Sequence, residues 1–425
     1  MKPIHFFLFL LIGAHLGALT LDEAIEKTLI THPNAKISSL QYESAVTSAK
    51  SADSALYPRL DANANYFPTK TFVMPVNGAF STKQSDSFHG DISGSYSLWD
   101  FGRSRNRYLS ALSTQEGTNV TKKITENELI ENVWKQYYGV AYTAALIDTA
   151  NSSVKFYEAQ YKQALNMRLS GLKTEADELR FKASLTESKE RAMRAQIEYD
   201  KASLGLGVLI GSDEFISVDR SILDKRCKTL TLESISLETL RQKLRENNPQ
   251  LKALRLSIHS AKGLSDASNN EKYGNVVLVG SYGYDDSLSA YDSYQAGVVG
   301  TVPLYDGGQL SAQAQKSRIA LTIAQTELES VERQLWQEVY GVYRDFTRAD
   351  ESIRSKESVI EATMKSLHLI GGRYGQGLAT YVDVLESQTL LENAKSDLAQ
   401  AKYQKISAYA HLQKLLNQGD GDDKK

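Results

Sequence analysis

Leu98-Trp99-Asp100-Phe101-Gly102-Arg103 and Leu304-Tyr305-Asp306-Gly307-Gly308-Gln309 are one motif written twice, 206 residues apart. The same offset carries Gly171-Leu172-Lys173-Thr174 onto Gly377-Leu378-Ala379-Thr380, Asp177 onto Asp383 and Leu179 onto Leu385. Upstream, His32-Pro33 matches Asn248-Pro249 and Tyr57 matches Tyr273 at an offset of 216. A single slip of ten residues across such long stretches marks an internal duplication. The copies cover residues 19–211 and 235–417, joined by a linker at 212–234. The ten extra residues fall in the first copy around Thr71 to Ser87, where a longer loop is expected.

Each copy opens with a helical stretch, Leu21 to Leu56 and Ile235 to Lys272, and continues into two alternating segments. Leu60, Ala62, Ala64 and Tyr66 alternate with Asp61, Asn63 and Asn65, and Ile92, Gly94, Tyr96 and Leu98 alternate with three serines. The second copy repeats this at Val276 to Tyr284 and Tyr294 to Leu304. Period two means strands with two unlike faces, each about ten residues, the length of a tilted transmembrane strand. Asp100 and Asp306 stand where strand gives way to helix. A carboxylate there accepts the free amides of the first helical turn, and Gly102 and Gly308 permit the tight entry. Asp-Phe-Gly also occurs in protein kinases, but the glycine-rich loop, strand lysine and catalytic loop that would accompany it are missing.

A very long helix follows each junction. Val339, Phe346, Ile353, Ile360 and Leu367 recur every seventh residue, and shifting by 206 gives Val133, Val140, Ile147, Val154 and Tyr161. Such a repeat is a coiled-coil seam. Gly308 to Gly371 alone makes about 95 Å of helix, so each copy can pack one long helix against two shorter ones set end to end. The turns at Gly171 and Gly377 then form the far tip. Four strands per chain fall short of the roughly eight that close a membrane barrel, and open edges in lipid leave backbone groups unsatisfied. Three chains would supply twelve strands.

The chain has 425 residues, a formal charge of −2, seven prolines and one cysteine, Cys227. Near-neutral charge gives no footing for nucleic acid, and the low proline content suits long helices. Met1-Lys2, the apolar run Phe6 to Ile12 and the small residues up to Ala18 read as a signal peptide over residues 1–18. One cysteine forms no disulfide within the chain, and none follows the leader to carry a lipid. Cys227 is expected in a polar linker. The seven histidines show no metal-ligand spacing. Gly205-x-Gly207 with Gly211 reads as a helix stop rather than a nucleotide loop, since no strand precedes it. Residues 418–425 are a polar, charged tail, expected to be disordered.

Taken together, the chain resembles the TolC-like outer-membrane factor family. The residues that carry the resemblance are Leu21-Asp22-Glu23-Ala24-Ile25 with His32-Pro33, Tyr57-Pro58-Arg59-Leu60, the two junctions, and Tyr374-Gly375-Gln376-Gly377-Leu378 through Val382-Asp383-Val384-Leu385-Glu386. The resemblance implies a mainly α fold with a small β part. Long antiparallel coiled-coil helices would form a periplasmic tunnel, and four strands per chain would join a 12-stranded trimeric barrel in the bacterial outer membrane. It implies a homotrimeric efflux or type I secretion channel, not an enzyme, with no cofactor. A periplasmic adaptor and an inner-membrane pump of the RND, ABC or MFS class would be its partners.

In that family Asp383 and Glu386 correspond to an acidic pair near the tunnel tip, and spacing of three places both on one helix face. Tyr374 and Asp177 correspond to positions that help latch the closed tip. A member of that family has an arginine at the position of Ala379, so that latch partner is missing here. Gly171-Leu172 and Gly377-Leu378 correspond to the adaptor-docking tips. The alternatives are an exported coiled-coil adaptor, which would carry one hairpin between lipoyl-like segments, and a structural coiled coil, which would not need four alternating strands.

Overall fold

A computed structural model describes residues 19–76, 78–231, 236–286 and 289–417. The expected signal peptide and C-terminal tail lie outside the described residues. The first repeat runs α1 (Leu21–Thr31), α2 (Pro33–Ser54), β1 (Arg59–Val76), β2 (Ala79–Trp99), α3 (Arg103–Leu169) and α4 (Glu175–Leu209). After α5 (Ile222–Thr229) the second repeats the order as α6 (Leu237–Asn247), α7 (Pro249–Asn270), β3 (Asn275–Asp286), β4 (Ala290–Thr301), α8 (Gln309–Gly375) and α9 (Tyr381–Leu416). Matching helices have matching lengths: 11 residues for α1 and α6, 22 for α2 and α7, 67 for α3 and α8. At 1.5 Å per residue the 67-residue helices are each about 100 Å long.

Two sequence expectations need correction. The opening helices are not continuous: each breaks before a proline, at His32 and Asn248. Proline forces the preceding residue out of helical backbone, and these residues sit at ψ 130 and ψ 121. Proline then starts the next helix, where its missing amide costs nothing. Asn248 caps α7 by accepting the Leu251 amide at 3.0 Å.

The second correction concerns strand length. β3 and β4 have 12 residues, but β1 has 18 and β2 has 21. The ten inserted residues lengthen a hairpin instead of forming a loop: Lys70 pairs with Ser85, Phe72 with Lys83 and Val76 with Ala79. Serine, threonine and lysine in this stretch conceal the alternation, which backbone pairing sustains. β4 starts four residues earlier than expected and stops at Thr301, ahead of Pro303, which has no amide to donate.

The chain divides into two compact units, each drawing on both repeats. One contains residues 37–124 and 247–335. Its sheet is antiparallel in the order β1-β2-β3-β4. Register places Ala62, Ile92, Tyr282 and Tyr294 side by side on one face, and Asn63, Asp91, Gly283 and Ser293 on the other. The next polar row is Asn65, His89, Asp285 and Tyr291. One face is therefore apolar and aromatic, the other hydrophilic. Among the described residues β1 and β4 each have a partner strand on one side only.

The other unit contains residues 125–246, 336–425 and the N-terminal segment to Lys36. Val133, Val140 and Ile147 of the seam are buried, as are Val339, Phe346 and Ile353. Val154, Tyr161, Ile360 and Leu367 are half-buried. Trp134, Tyr137, Tyr138, Phe346 and Tyr409 form the aromatic centre of the core. Beside it the buried Glu131 holds Lys135 at 2.5 Å, Lys414 at 2.7 Å and His411 at 2.7 Å, and His411 reaches Glu338 at 2.8 Å. Burial opposes ionisation of Glu131, but the bonds from His411, Lys135 and Lys414 outweigh it and hold its pKa well below the carboxylate range.

The segment expected as a polar linker carries α5, and Cys227 is buried there against Ile353 and Ala401. Its carbonyl accepts from Lys405 Nζ at 3.0 Å, and that buried ammonium pairs with Asp350 at 2.7 Å.

Candidate functional site

The two helix-to-helix turns have the same construction. α3 ends with Gly171 at φ 71, its amide bonding Arg168 O at 2.9 Å while Leu172 N bonds Met167 O at 2.8 Å. α8 ends with Gly377 at φ 76, its amide bonding Tyr374 O at 2.9 Å while Leu378 N bonds Arg373 O at 2.8 Å. This double bond pattern around a left-handed residue is the Schellman termination, which favours glycine because a Cβ is strained there. Leu172 and Leu378 are left 69% and 66% exposed, two apolar side chains on otherwise polar turns.

The helices that leave these turns are capped alike. Thr174 accepts the Asp177 amide at 3.3 Å, and Thr380 accepts the Asp383 amide at 3.3 Å. Asp383 answers in kind: its Oδ2 accepts from Thr380 N at 2.7 Å and Thr380 Oγ1 at 2.8 Å, a reciprocal capping box. Those bonds, the backbone amide first, hold the Asp383 carboxyl below its ordinary value of 3.8. Asp383 and Glu386 are both exposed, while Val384 between them is buried, so the pair sits on the outward side of α9.

Tyr374 lies on the inward side. It is fully buried in a cluster with Tyr157, Ala164, Met167, Phe181 and Val384. Phe181 meets it edge-on at 5.4 Å and meets Tyr381 at 4.8 Å. Ser184 and Tyr381 share a hydrogen bond of 2.7 Å, and Arg168 pairs with Glu178. The ends of α3 and α8 and the starts of α4 and α9 thus share one small core. Burial, with the Asp177 carboxylate adding to it, pushes the Tyr374 phenol up to about 12. Its hydroxyl is bonded neither to Asp177 nor to any other described residue. Asp177 instead accepts from Thr174 Oγ1 at 3.2 Å.

Lys173 belongs to this site and sequence reasoning did not single it out. Its Nζ lies 4.8 Å from the centre of the Tyr374 ring and donates to Ala379 O at 3.5 Å. Lys173 and Ala379 are the same position of the two repeats, so a cation lacking in one copy is present in the other. The aligned Gly-Leu-Lys-Thr and Gly-Leu-Ala-Thr turns contained that signal.

The junctions belong to the sheet-bearing unit. Asp100 accepts Gly102 N at 3.0 Å and Ser104 N at 2.7 Å, and Asp306 accepts Gly308 N at 2.9 Å and Leu310 N at 2.6 Å. Gly102 and Gly308 take φ 81 and φ 90, a left-handed step immediately before the first residues of α3 and α8. Among the described residues no group of three metal-ligating side chains occurs, and no helix is long and apolar enough to cross a membrane.

The match to known proteins follows the same duplicated pattern. The family model described as Outer membrane efflux protein matches twice, at residues 24–212 and 240–418. Outer membrane protein TolC of Escherichia coli is 23% identical over 420 residues, covering 93% of this chain and 82% of its own. The alkaline protease secretion protein AprF of Pseudomonas aeruginosa is 23% identical, covering 84% and 76%. Among solved structures, CusC superposes with a TM-score of 0.83 over 94% of this chain and 92% of its own at 16% identity, which speaks for the fold. With both repeats matched along nearly their full length, the chain belongs to the outer membrane efflux protein family.

Proposed function

We propose that this chain is the outer-membrane channel of a tripartite efflux or type I secretion system, conducting substrates from an inner-membrane pump across periplasm and outer membrane. The observation that carries the reading is the sheet: an apolar aromatic face, a polar face, and two edges without partners. In lipid such edges leave several kcal/mol per unsatisfied group, about the cost of an unpaired amide in hydrocarbon. Three copies would join edge to edge into a closed barrel, polar face inward. A coiled-coil adaptor or a structural helical protein has no use for such a sheet.

Under this reading Gly171-Leu172 and Gly377-Leu378 meet a periplasmic adaptor, with the exposed leucines as apolar contacts. Asp383 and Glu386 ring the narrowest point, six carboxylates in the trimer that attract cations. Tyr374 and Asp177 hold the tip closed through a buried ring and a nearby charge, and Asp100, Gly102, Asp306 and Gly308 set the strand-to-helix turn. Relatives named for protease secretion and for toluene efflux point to cargo chosen by the pump rather than by the duct. The test is outer-membrane fractionation with unheated and heated gels, followed by planar-bilayer recording. Heat-modifiable trimers that conduct ions are expected; a soluble periplasmic monomer would overturn the reading.

A further inference from the structure

We infer that His411 is a proton-operated clamp on three helices: with both ring nitrogens protonated it ties α3, α9 and α8 together, and the loss of one proton releases α8. The inference stands on side-chain geometry within one chain and does not depend on the channel reading. His411 lies near the C-terminal end of α9. Its Nδ1 is 2.7 Å from Glu131 Oε1 on α3, and its Nε2 is 2.8 Å from Glu338 Oε1 on α8. A carboxylate has no proton to give and can only accept. With a carboxylate at each nitrogen the ring must donate twice, and only the imidazolium form has two N–H groups. A neutral ring turns one lone pair toward an anion, so a charge-assisted bond gives way to repulsion.

The two bonds differ in what stands behind them. Glu131 is buried, and Lys135 and Lys414 also bond its carboxylate. A lone pair turned on that buried anion would be costly. Glu338 is exposed, and among the described residues His411 is its only bonded partner. A ring with one proton therefore keeps Nδ1–H on Glu131 and lets Glu338 go.

The other charges around the ring come from the elements packed on it. Asp345 and Arg348 of α8 and Lys405 of α9 line a cleft of about 590 Å³ onto which His411 and Lys135 also open, and Lys405 is itself held by Asp350. Asp22 of α1 lines a smaller cavity with Glu131 and Lys414. On α5, Arg226 lies over the rings of Trp134 and Tyr409. Of the side-chain types present, only imidazole ordinarily changes charge between about pH 5 and 8. The cleft gives water, and with it protons, access to the ring. The clamp belongs to the second repeat alone: the offset of 206 carries His411 onto Gly205, so no imidazole occupies that place on α4.

Hydrogen exchange of the detergent-solubilised protein, read by mass spectrometry and corrected for the intrinsic effect of pH on exchange, tests the clamp. Protection of the α8 amides at residues 335–343 should fall about tenfold as the pH rises from about 5 to about 9, the size expected for one charged hydrogen bond. The α3 amides at residues 140–147 should keep their protection. Glu338→Gln puts a group there that can donate to an unprotonated Nε2, so its α8 protection should stay level across the range. His411→Gln has a single side-chain nitrogen, which cannot reach both carboxylates, and should match the alkaline state of the parent at every pH. Constant protection in the parent, a fall in Glu338→Gln as large as the parent's, full protection of His411→Gln at low pH, or an equal loss at residues 140–147 would each overturn the inference and leave the channel reading standing.

Discussion

Lys173 Nζ stands 4.8 Å above the ring of Tyr374 and bonds the carbonyl of Ala379, tying the turn that follows α3 to the turn that follows α8. The ring below the cation is buried, so the attraction acts where water screens it little. Lys173→Ala is expected to loosen the tip by about 1 kcal/mol. Raised resting conductance in planar bilayers and faster proteolysis at residues 170–175 would register it. Tyr374→Phe should change neither, because the hydroxyl has no partner to lose. A Tyr374→Phe channel as leaky as Lys173→Ala would show that the hydroxyl matters to closure.

Gly377 sits at φ 76 with open space where a side chain would go. Gly377→Val is therefore opposed by backbone strain and not by collision. About 1–2 kcal/mol of local cost is expected for a left-handed non-glycine residue, more for a branched one. The trimer should survive on unheated gels while efflux is lost, since the proposed docking turn changes shape. Full resistance or secretion in this variant would remove the turn from the docking surface.

Asp383 and Glu386 are expected to make the channel cation-selective and open to block by multivalent cations from the periplasmic side. Asp383→Ala with Glu386→Ala should abolish the block. Because Asp383 also completes the Thr380 capping box, alanine there costs about 0.5–2 kcal/mol locally. Asp383→Asn keeps an acceptor and separates charge from cap. Bonds from Thr380 hold the Asp383 carboxyl below its ordinary value, so its share of the block should persist to lower pH than that of an aspartate without them. Undiminished block in the double variant would place both carboxylates away from the constriction.

Glu131 is ionised in the folded state at a pKa well below its ordinary 4.5. Its contribution to stability is complete above about 4.5 and declines as the pH falls below that toward the folded value. Glu131→Gln should cost on the order of 3 kcal/mol at pH 7, since it leaves Lys135, Lys414 and His411 crowded without their shared anion. Thermal unfolding of the detergent-solubilised protein at several pH values measures this. The gap between variant and parent should narrow on acidification; a gap that widens would mean that Glu131 is neutral in the folded chain.

Much of this molecule is local in origin and was legible from residues alone. Asp100 and Asp306 meet amides two and four residues away, Gly171 and Gly377 end their own helices, and the sevenfold spacing from Val133 or Val339 follows from helical pitch. Such features need only neighbours in sequence, so the duplication, the long helices and the four strands could be read off directly. The breaks at His32 and Asn248 are equally local, since proline acts on its predecessor, but the helical pattern running on either side of them masks them. The hairpin between Phe67 and Ser87 was different: its serines, threonines and lysines carry weak alternation, and only pairing across the strands decides that they are extended. Tertiary structure alone set the burial of Cys227, the Glu131 network and the place of Lys173, whose partners lie 178, 280 and 206 residues away. Periodicity shows which way a side chain faces along its own element. Which distant group it meets is settled by packing, where apolar burial brings helix ends together and a charge or hydroxyl must then take the nearest partner.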